Sequence, residues 1–355
     1  MPTHRARRVP TRRTRRSTVS HRASGLSLET PLVIPSFSSK GFGKISQRQT
    51  EIAQLLSTAS EFLTGVYLIS AFDMHYGQIP APRELSGRPE LIIVDSGGYE
   101  TSDDYDLSAV YRPELGFKPW TEEMLAGVLD KWPEELPAVF VSFDHHESRR
   151  PVVEQLAAAR DLFKGRSHQL SCFLLKPETR DQSTLRVALG AAIARAEDMR
   201  SFDIIGVTEK ELGTSPLERM KRIVKLRSAL DEAQVRAPIH VFGALDPASI
   251  CLYYLAGAEM FDGLTWLRYA FVRDRDRNKD HCVYIHSYSV IEEDLRLTDS
   301  KLRLRVLAQN YYYLEQLQNR LRDFHATGDF TKLPHPDFLR NACDSLEGEL
   351  ARGGY

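Results

Sequence analysis

Pro238-Ile-His-Val-Phe-Gly-Ala-Leu-Asp-Pro247, a helical run to Gly257, and then Ala258-Glu-Met-Phe-Asp-Gly-Leu-Thr-Trp-Leu-Arg268 decide the fold. Ile239–Phe242 is a short apolar run, as expected of a strand buried on both faces. Gly243 breaks it. Asp246 is a natural N-cap, and Pro247 stands at the first helical position, where its missing N–H costs nothing. Gly257 ends the helix. Met260 and Phe261 open a second strand, which delivers Asp262 at its C-terminal end. An acidic residue there is where an α/β barrel keeps its chemistry. By itself, such a residue could equally be a cap or a solvated loop charge.

Outward from this unit, strands and helices alternate along the chain. Strands are expected at Pro31–Ser36, Gly65–Ala71, Leu91–Val94, Ala138–Phe143, Leu170–Leu175 and Asp203–Val207, before the two already quoted. Helices are expected at Ser46–Ala59 with Ser46 as N-cap, Thr121–Lys131 with Thr121 as N-cap, Val152–Lys164, Thr184–Met199 and Pro216–Ala233. Eight strands with helices between them predict a (β/α)8 TIM barrel over residues 25–272, with a C-terminal helical extension over 273–355. A doubly wound open sheet would want a Gly-rich phosphate loop after its first strand. Ser36-Phe-Ser-Ser-Lys-Gly-Phe-Gly43 is a poor match to one. In the extension, Leu307, Tyr311, Leu314, Leu317, Leu321 and Phe324 recur every three or four residues of a helix expected at Leu302–Phe324. That stripe is core packing or the seam of a homodimer.

Composition sets the outer limits. The 355 residues allow one large barrel, and 42% apolar content supports a sizeable core. Four scattered cysteines without a CxxC pair fit a reducing cytoplasm rather than a disulfide framework. No apolar run is long enough to span a bilayer. The net charge of −1 hides an asymmetry, since residues 1–24 carry eight arginines and no acid. The segment reads as a disordered tail able to meet phosphates, or as a solvated bystander. Arg268, Arg273, Arg275 and Arg277 form a second basic stretch, interrupted by Asp274 and Asp276. It reads as phosphate-binding or as charges that pair with one another.

Three strand ends carry candidate chemistry: Asp95, Asp144 and Asp262. In a barrel all three would face one pocket. Gathered carboxylates suit substitution at a sugar anomeric carbon, one acting as nucleophile and another moving protons. Gly97-Gly98 would let backbone approach a flat ligand, and an aspartate can accept hydrogen bonds from a purine edge.

Asp95-Ser96-Gly97-Gly98-Tyr99 resembles the Asp-Ser-Gly-Gly-(Phe/Tyr)-Gln signature of the tRNA-guanine transglycosylases. Phe143-Asp144, Gly206-Val207-Thr208-Glu209, Val241-Phe242-Gly243, Met260-Phe261-Asp262 with Arg268, and Gln309-Asn310-Tyr311-Tyr312 are similar to further segments of that superfamily, in the same order over roughly residues 30–325. The resemblance implies a (β/α)8 enzyme, a pentosyltransferase that swaps guanine for a 7-deazaguanine. By it, Asp262 is the nucleophile at C1′ and Asp95 handles protons. Asp144, Ser96, Gly97, Gly98, Lys176, Gly206 and Val207 bind the base, while Arg268, Arg273, Arg275 and Arg277 meet the nucleic acid.

The departures narrow this reading. Glu100 replaces the signature's Gln, and Lys176 stands where a base-contacting Gln is usual. The superfamily's zinc site needs Cys-x-Cys-x-x-Cys and a His. Here Gln309 stands for the His, and only His281, Cys282 and His286 are near, at most three of four ligands. No metal and no cofactor are therefore expected, and 273–355 reads as a degenerate zinc-subdomain region. These departures resemble the DNA-modifying, DpdA-type branch. That implies DNA as partner, with a preQ0-like base, and partner proteins of a DNA-modification system. The alternatives are a tRNA enzyme of the queuine or archaeosine type, a hydrolytic glycosidase, and a non-catalytic nucleic-acid-binding barrel.

Overall fold

The computed structural model describes residues 13–47, 49–85, 87–101, 118–145, 149–179, 186–274, 278–285, 296 and 298–352. Eight parallel strands close into a barrel: β1 (Leu32–Phe37), β2 (Val66–Ser70), β3 (Leu91–Asp95), β4 (Ala138–Val141), β5 (Leu170–Leu175), β6 (Ile204–Thr208), β7 (Ile239–Phe242) and β8 (Met260–Gly263). Neighbours in sequence are neighbours in the sheet, and β8 returns to β1 with Asp262 opposite Ile34. The fold is the expected (β/α)8 barrel.

Alternation along each strand splits the core into two layers. Ile34, Leu68, Ile93, Val141, Cys172, Leu174, Ile204, Phe242 and Met260 fill the barrel. Val33, Ile92, Phe140, Phe173, Val207, Val241 and Phe261 face the surrounding helices. Those helices include α1 (Glu51–Ala59), α2 (Glu122–Leu129), α3 (Val152–Phe163), α4 (Leu189–Ala194), α5 (Pro216–Glu232) and α6 (Pro247–Leu255). Thr121 caps α2 and Asp246 caps α6, its Oδ1 accepting from the N–H groups of Ala248 and Ser249 at 3.1 and 3.0 Å.

Several expectations need correction. The first helix starts later than Ser46, because Lys44–Ser46 is a short strand paired with Gln49–Thr50 and Thr50 is the cap. The helix expected over 184–199 is α4 followed by a 3-10 segment, Ala196–Ser201; residues 184 and 185 lie outside the described residues.

The arginine-rich segment is built into the fold from Arg13 onward. Arg13, Arg15 and Arg16 pair with Glu347, Asp231 and Glu29. Thr18–His21 pairs antiparallel with Leu26–Glu29. This hairpin places Val19, Leu26 and Leu28 against the inner layer at the N-terminal end of the barrel. It is an integral stopper, since its apolar residues alternate with exposed ones and bury one face. Arg5, Arg7, Arg8 and Arg12 lie outside the described residues.

The extension is helical but opens with a hairpin, Tyr269–Asp274 against Lys279–Tyr284. It continues as α7 (Asp299–Thr327) and α8 (Pro336–Arg352). Gly328, at φ +70°, closes α7, donating its N–H to Phe324 O. The stripe on α7 packs on its own barrel: Leu307, Leu314, Leu317, Leu321 and Phe324 are buried in the outer core. Gln318 Oε1 accepts the N–H of Val33 on β1 at 2.8 Å.

Candidate active site

At the C-terminal ends of the strands lies a cavity of about 400 Å³. Asp95, Asp144 and Asp262 all line it, as the strand-end reading expects, with Ser96, Gly98, Lys176 and Arg268.

Asp262 sits on the inner face of β8, two residues after Met260, and is 5% exposed. Both its oxygens are held. Ser36, on neighbouring β1, donates its hydroxyl to Oδ2 at 2.7 Å, and His240 Nε2 lies 3.0 Å from Oδ1. A carboxylate only accepts, so Nε2 carries the proton that is shared. His240 is fully buried on β7 and stacks on Phe242, with ring centroids 3.9 Å apart. Its Nδ1 has no hydrogen-bond partner among the described residues. Neither His240 nor Ser36 was singled out from sequence. Each occupies an apolar strand run, and the inward phase of alternation was the signal that could have found them.

Asp95 ends β3. Burial pushes its carboxyl up to about 8, with the charges of Glu100, Asp262 and Asp144 adding to the effect and the Gly97 N–H, 3.4 Å away, opposing it. Gly97 turns the chain at φ +86°. A Cβ there would lie 2.7 Å from Phe72 Cβ and 2.8 Å from Trp120 Nε1. The Trp120 indole donates to Ser96 O at 2.7 Å and locks the turn. Gly98 opens a short helix, Gly98–Thr101, against the end of β4. A Cβ on it would come within 2.3 Å of the Asp144 carbonyl oxygen. The Gly-Gly pair therefore serves close approach between two strand ends as well as the cavity wall.

That short helix projects Glu100 into the cavity beside Asp95. Burial raises the Glu100 carboxyl, while the hydrogen bond from the Ser38 hydroxyl and the charge of Lys40 oppose the rise. Behind it, fully buried Asp73 accepts from the Ser39 N–H at 2.7 Å and from the Ser39 hydroxyl. Burial and then the Glu100 charge lift Asp73 well above the usual carboxylate range.

On the opposite wall, Asp144 is clamped between Arg149 (2.6 Å to Oδ1) and Lys176 (2.9 Å to Oδ2). Lys176 also meets buried Glu211 at 2.8 Å and Thr208 Oγ1 at 3.1 Å. Burial works against the Asp144 charge, but Lys176 and then Arg149 outweigh it and hold the carboxyl below its ordinary range. For Lys176, burial opposes the charge and the Asp144 and Glu211 carboxylates overcome it, keeping the ammonium raised. Arg149 follows Asp144 by five residues, just before α3, and Glu211 ends the 3-10 turn Glu209–Glu211 that follows β6.

Two expected base contacts lie elsewhere. Gly206 is inside the barrel wall beneath Phe242, whose Cε2 would be 2.7 Å from an added Cβ, and Val207 points outward into the helical layer. At the end of β6 and in the 3-10 turn after it, Thr208, Glu209 and Lys210 reach the cavity. Arg268 donates to Lys40 O at 3.1 Å at the rim, and Arg273 lies exposed on the hairpin. Arg275, Arg277 and His286 lie outside the described residues. His281 and Cys282 are adjacent on one strand and so point to opposite faces. The thiol donates to Asp246 at 3.3 Å, and the His281 ring packs edge-on against His335. Among the described residues no three His, Cys, Asp or Glu side chains gather to hold a metal ion. No described helix is long and apolar enough to cross a membrane.

No family model matches the chain, and no curated protein matches it significantly.

Proposed function

We propose that this chain is a base-exchange transglycosylase that replaces guanine in DNA by a preQ0-like 7-deazaguanine, through a covalent ester between Asp262 and the sugar. The observation that carries the reading is the pair of strand-end carboxyls, Asp262 held by His240 and Ser36 and Asp95 pushed up to about 8. One is positioned to attack and the other carries a proton at neutral pH, the division of labour that retaining glycosidases use.

An Asp262 oxygen attacks C1′ as the bond from C1′ to the guanine nitrogen breaks, its electron pair leaving with the base. Asp95 gives its proton to the departing guanine and becomes a carboxylate. The incoming 7-deazaguanine enters, Asp95 takes back a proton from its ring N–H, and that nitrogen attacks C1′. The Asp262 ester breaks. Two inversions give retention, and no net proton is consumed. Asp144, oriented by Lys176 and Arg149, offers carboxylate lone pairs to the N–H groups of the base.

DNA is preferred over tRNA because the zinc module of the RNA enzymes has no full ligand set here. The described cysteines are all free thiols, which fits the cytoplasm. The test is exchange of labelled guanine into DNA and into tRNA, with a denaturing gel for the protein–nucleic acid adduct. Wild type labels DNA and forms the adduct, and Asp262→Asn does neither. Labelling of tRNA alone would move the assignment to the RNA enzymes. Near-normal exchange by Asp262→Asn would overturn the mechanism.

A further inference from the structure

The hairpin after β8 ends over the cavity. Tyr269 and Tyr284 are directly opposed across its first rung, and both line the cavity mouth. Tyr284 is 53% exposed, among the most open large side chains described. A half-bare aromatic ring at the mouth of a polar cavity is a candidate contact for something flat.

The backbone beneath the pair is anchored. Asn310, fully buried on α7, donates to Trp266 O and to Tyr269 O, each at 2.6 Å, and accepts the Phe271 N–H at 2.8 Å. The Trp266 indole donates to Ser36 O at 3.0 Å, and the Ser36 hydroxyl is the one that holds Asp262. One continuous set of hydrogen bonds thus runs from Asp262 through Ser36, Trp266 and Asn310 to Tyr269. The other face of the hairpin is glued down, with Ala270 and Ile285 packed on Leu302 and Val306 of α7. The hairpin backbone that carries both tyrosines is thus anchored to the barrel and to α7 rather than being a free loop, which lowers the cost of ordering it on binding.

We propose that Tyr284, backed by Tyr269, is a stacking platform for the nucleobase next to the nucleotide that enters the cavity. This rests on the exchange reading and deepens it, because a nucleotide buried at Asp262 leaves its neighbour at the mouth. Arg268 lines the same rim, where a cation suits the connecting phosphate. Stacking on an aromatic ring tolerates any base. The platform therefore grips an unstacked strand without reading its sequence, and sequence choice falls to other contacts.

The test uses the full chain and 12-nucleotide single-stranded DNA containing one guanine, with 5-iodouracil on its 5′ or 3′ side, and an RNA counterpart. Irradiation should crosslink one of the two DNA probes to Tyr284 or Tyr269. Tyr284→Ala should weaken DNA binding roughly tenfold, and Tyr284→Phe, which keeps the ring, should bind within about twofold of wild type. Tyr284 is a partly open side chain, so loss of the fold is not expected to obscure the result. Binding by Tyr284→Ala equal to wild type, or crosslinks only to other residues, would overturn the platform while leaving exchange at Asp262 standing. Absence of any binding by wild type to DNA or RNA would overturn both.

Discussion

The buried carboxyl of Asp95 ties the fold and the chemistry to the same proton. With that carboxyl at about 8, Asp95 holds a proton at neutral pH that an unfolded chain, near 3.8, has lost. Between those values the folded chain binds more protons, so this group's contribution to stability falls as pH rises, and is lost through about 8. Asp95→Asn removes the liability. Thermal melts should show the variant gaining on wild type as pH is raised from 5 to 9, although its exchange activity is abolished. The burst of guanine released by wild type should decline above pH about 8, where Asp95 no longer carries the acid proton; a burst flat to pH 10 would assign the proton to another group. Asp262, Asp95 and Asp144 were legible in sequence because each stops an apolar run. His240, Ser36 and Asp73 were not: the inward phase that His240 and Ser36 share with Phe242 and Ile34 can be used only once it is known which face of each strand fills the barrel, and Asp73 lies beyond its strand in a short helix. Glu211 and Arg149 escaped for another reason: Glu211 reaches Lys176 from the turn after the neighbouring strand, a pairing that spacing does not mark, and Arg149, only five residues past Asp144, reads as an ordinary loop charge.

Among the elements, strand boundaries were readable where composition changes abruptly. β5 and β7 begin and end as expected, since their apolar runs stop at Lys176 and Gly243. The α1 cap was misplaced because Ser46 and Thr50 are both good N-caps, and only the small hairpin before the helix decides between them. Caps and close approaches give two predictions. Asp246→Ala should cost about 1 kcal/mol and lower Tm by a few degrees, since it frees the Ala248 and Ser249 N–H groups. Gly98→Ala should cost about 1–3 kcal/mol through overpacking. Its Cβ would fall within 2.7 Å of Asp144 Oδ2, so guanine affinity should drop along with stability. Calorimetry with titration of free guanine checks both effects. A Gly98→Ala protein that melts and binds like wild type would mean the wall yields more than its packing implies.

The whole molecule is tied together from both ends, and only one of those ends was expected. The alternation of segments announced the barrel, because a parallel strand buried on two faces has a distinctive composition. The N-terminal hairpin was hidden under eight arginines, whose charge suggested solvent. Three of them meet acids from three separate elements. Truncation after residue 24 should therefore lower Tm by about 5 °C or more relative to truncation after residue 12, since burial of Val19 and its neighbours is worth a few kcal/mol. Equal melting of the two proteins would show the stopper to be dispensable. The shorter deletion is the cleaner probe of phosphate contact: with four arginines removed, the salt slope of DNA binding can flatten by at most about 3.6. The stopper also governs traffic. With Val19 buried at the far end of the barrel and Leu26 and Leu28 packed against the same inner layer, the described residues close the barrel behind the cavity at the strand C-termini. On the exchange reading, the expelled base and its replacement must pass the same threshold, and they must do so in turn while the sugar waits on Asp262. Free guanine should then act as a rival of the incoming base for the loaded enzyme, reversing the first half of the reaction, and the overall direction of exchange would be set by which base is more abundant outside the door.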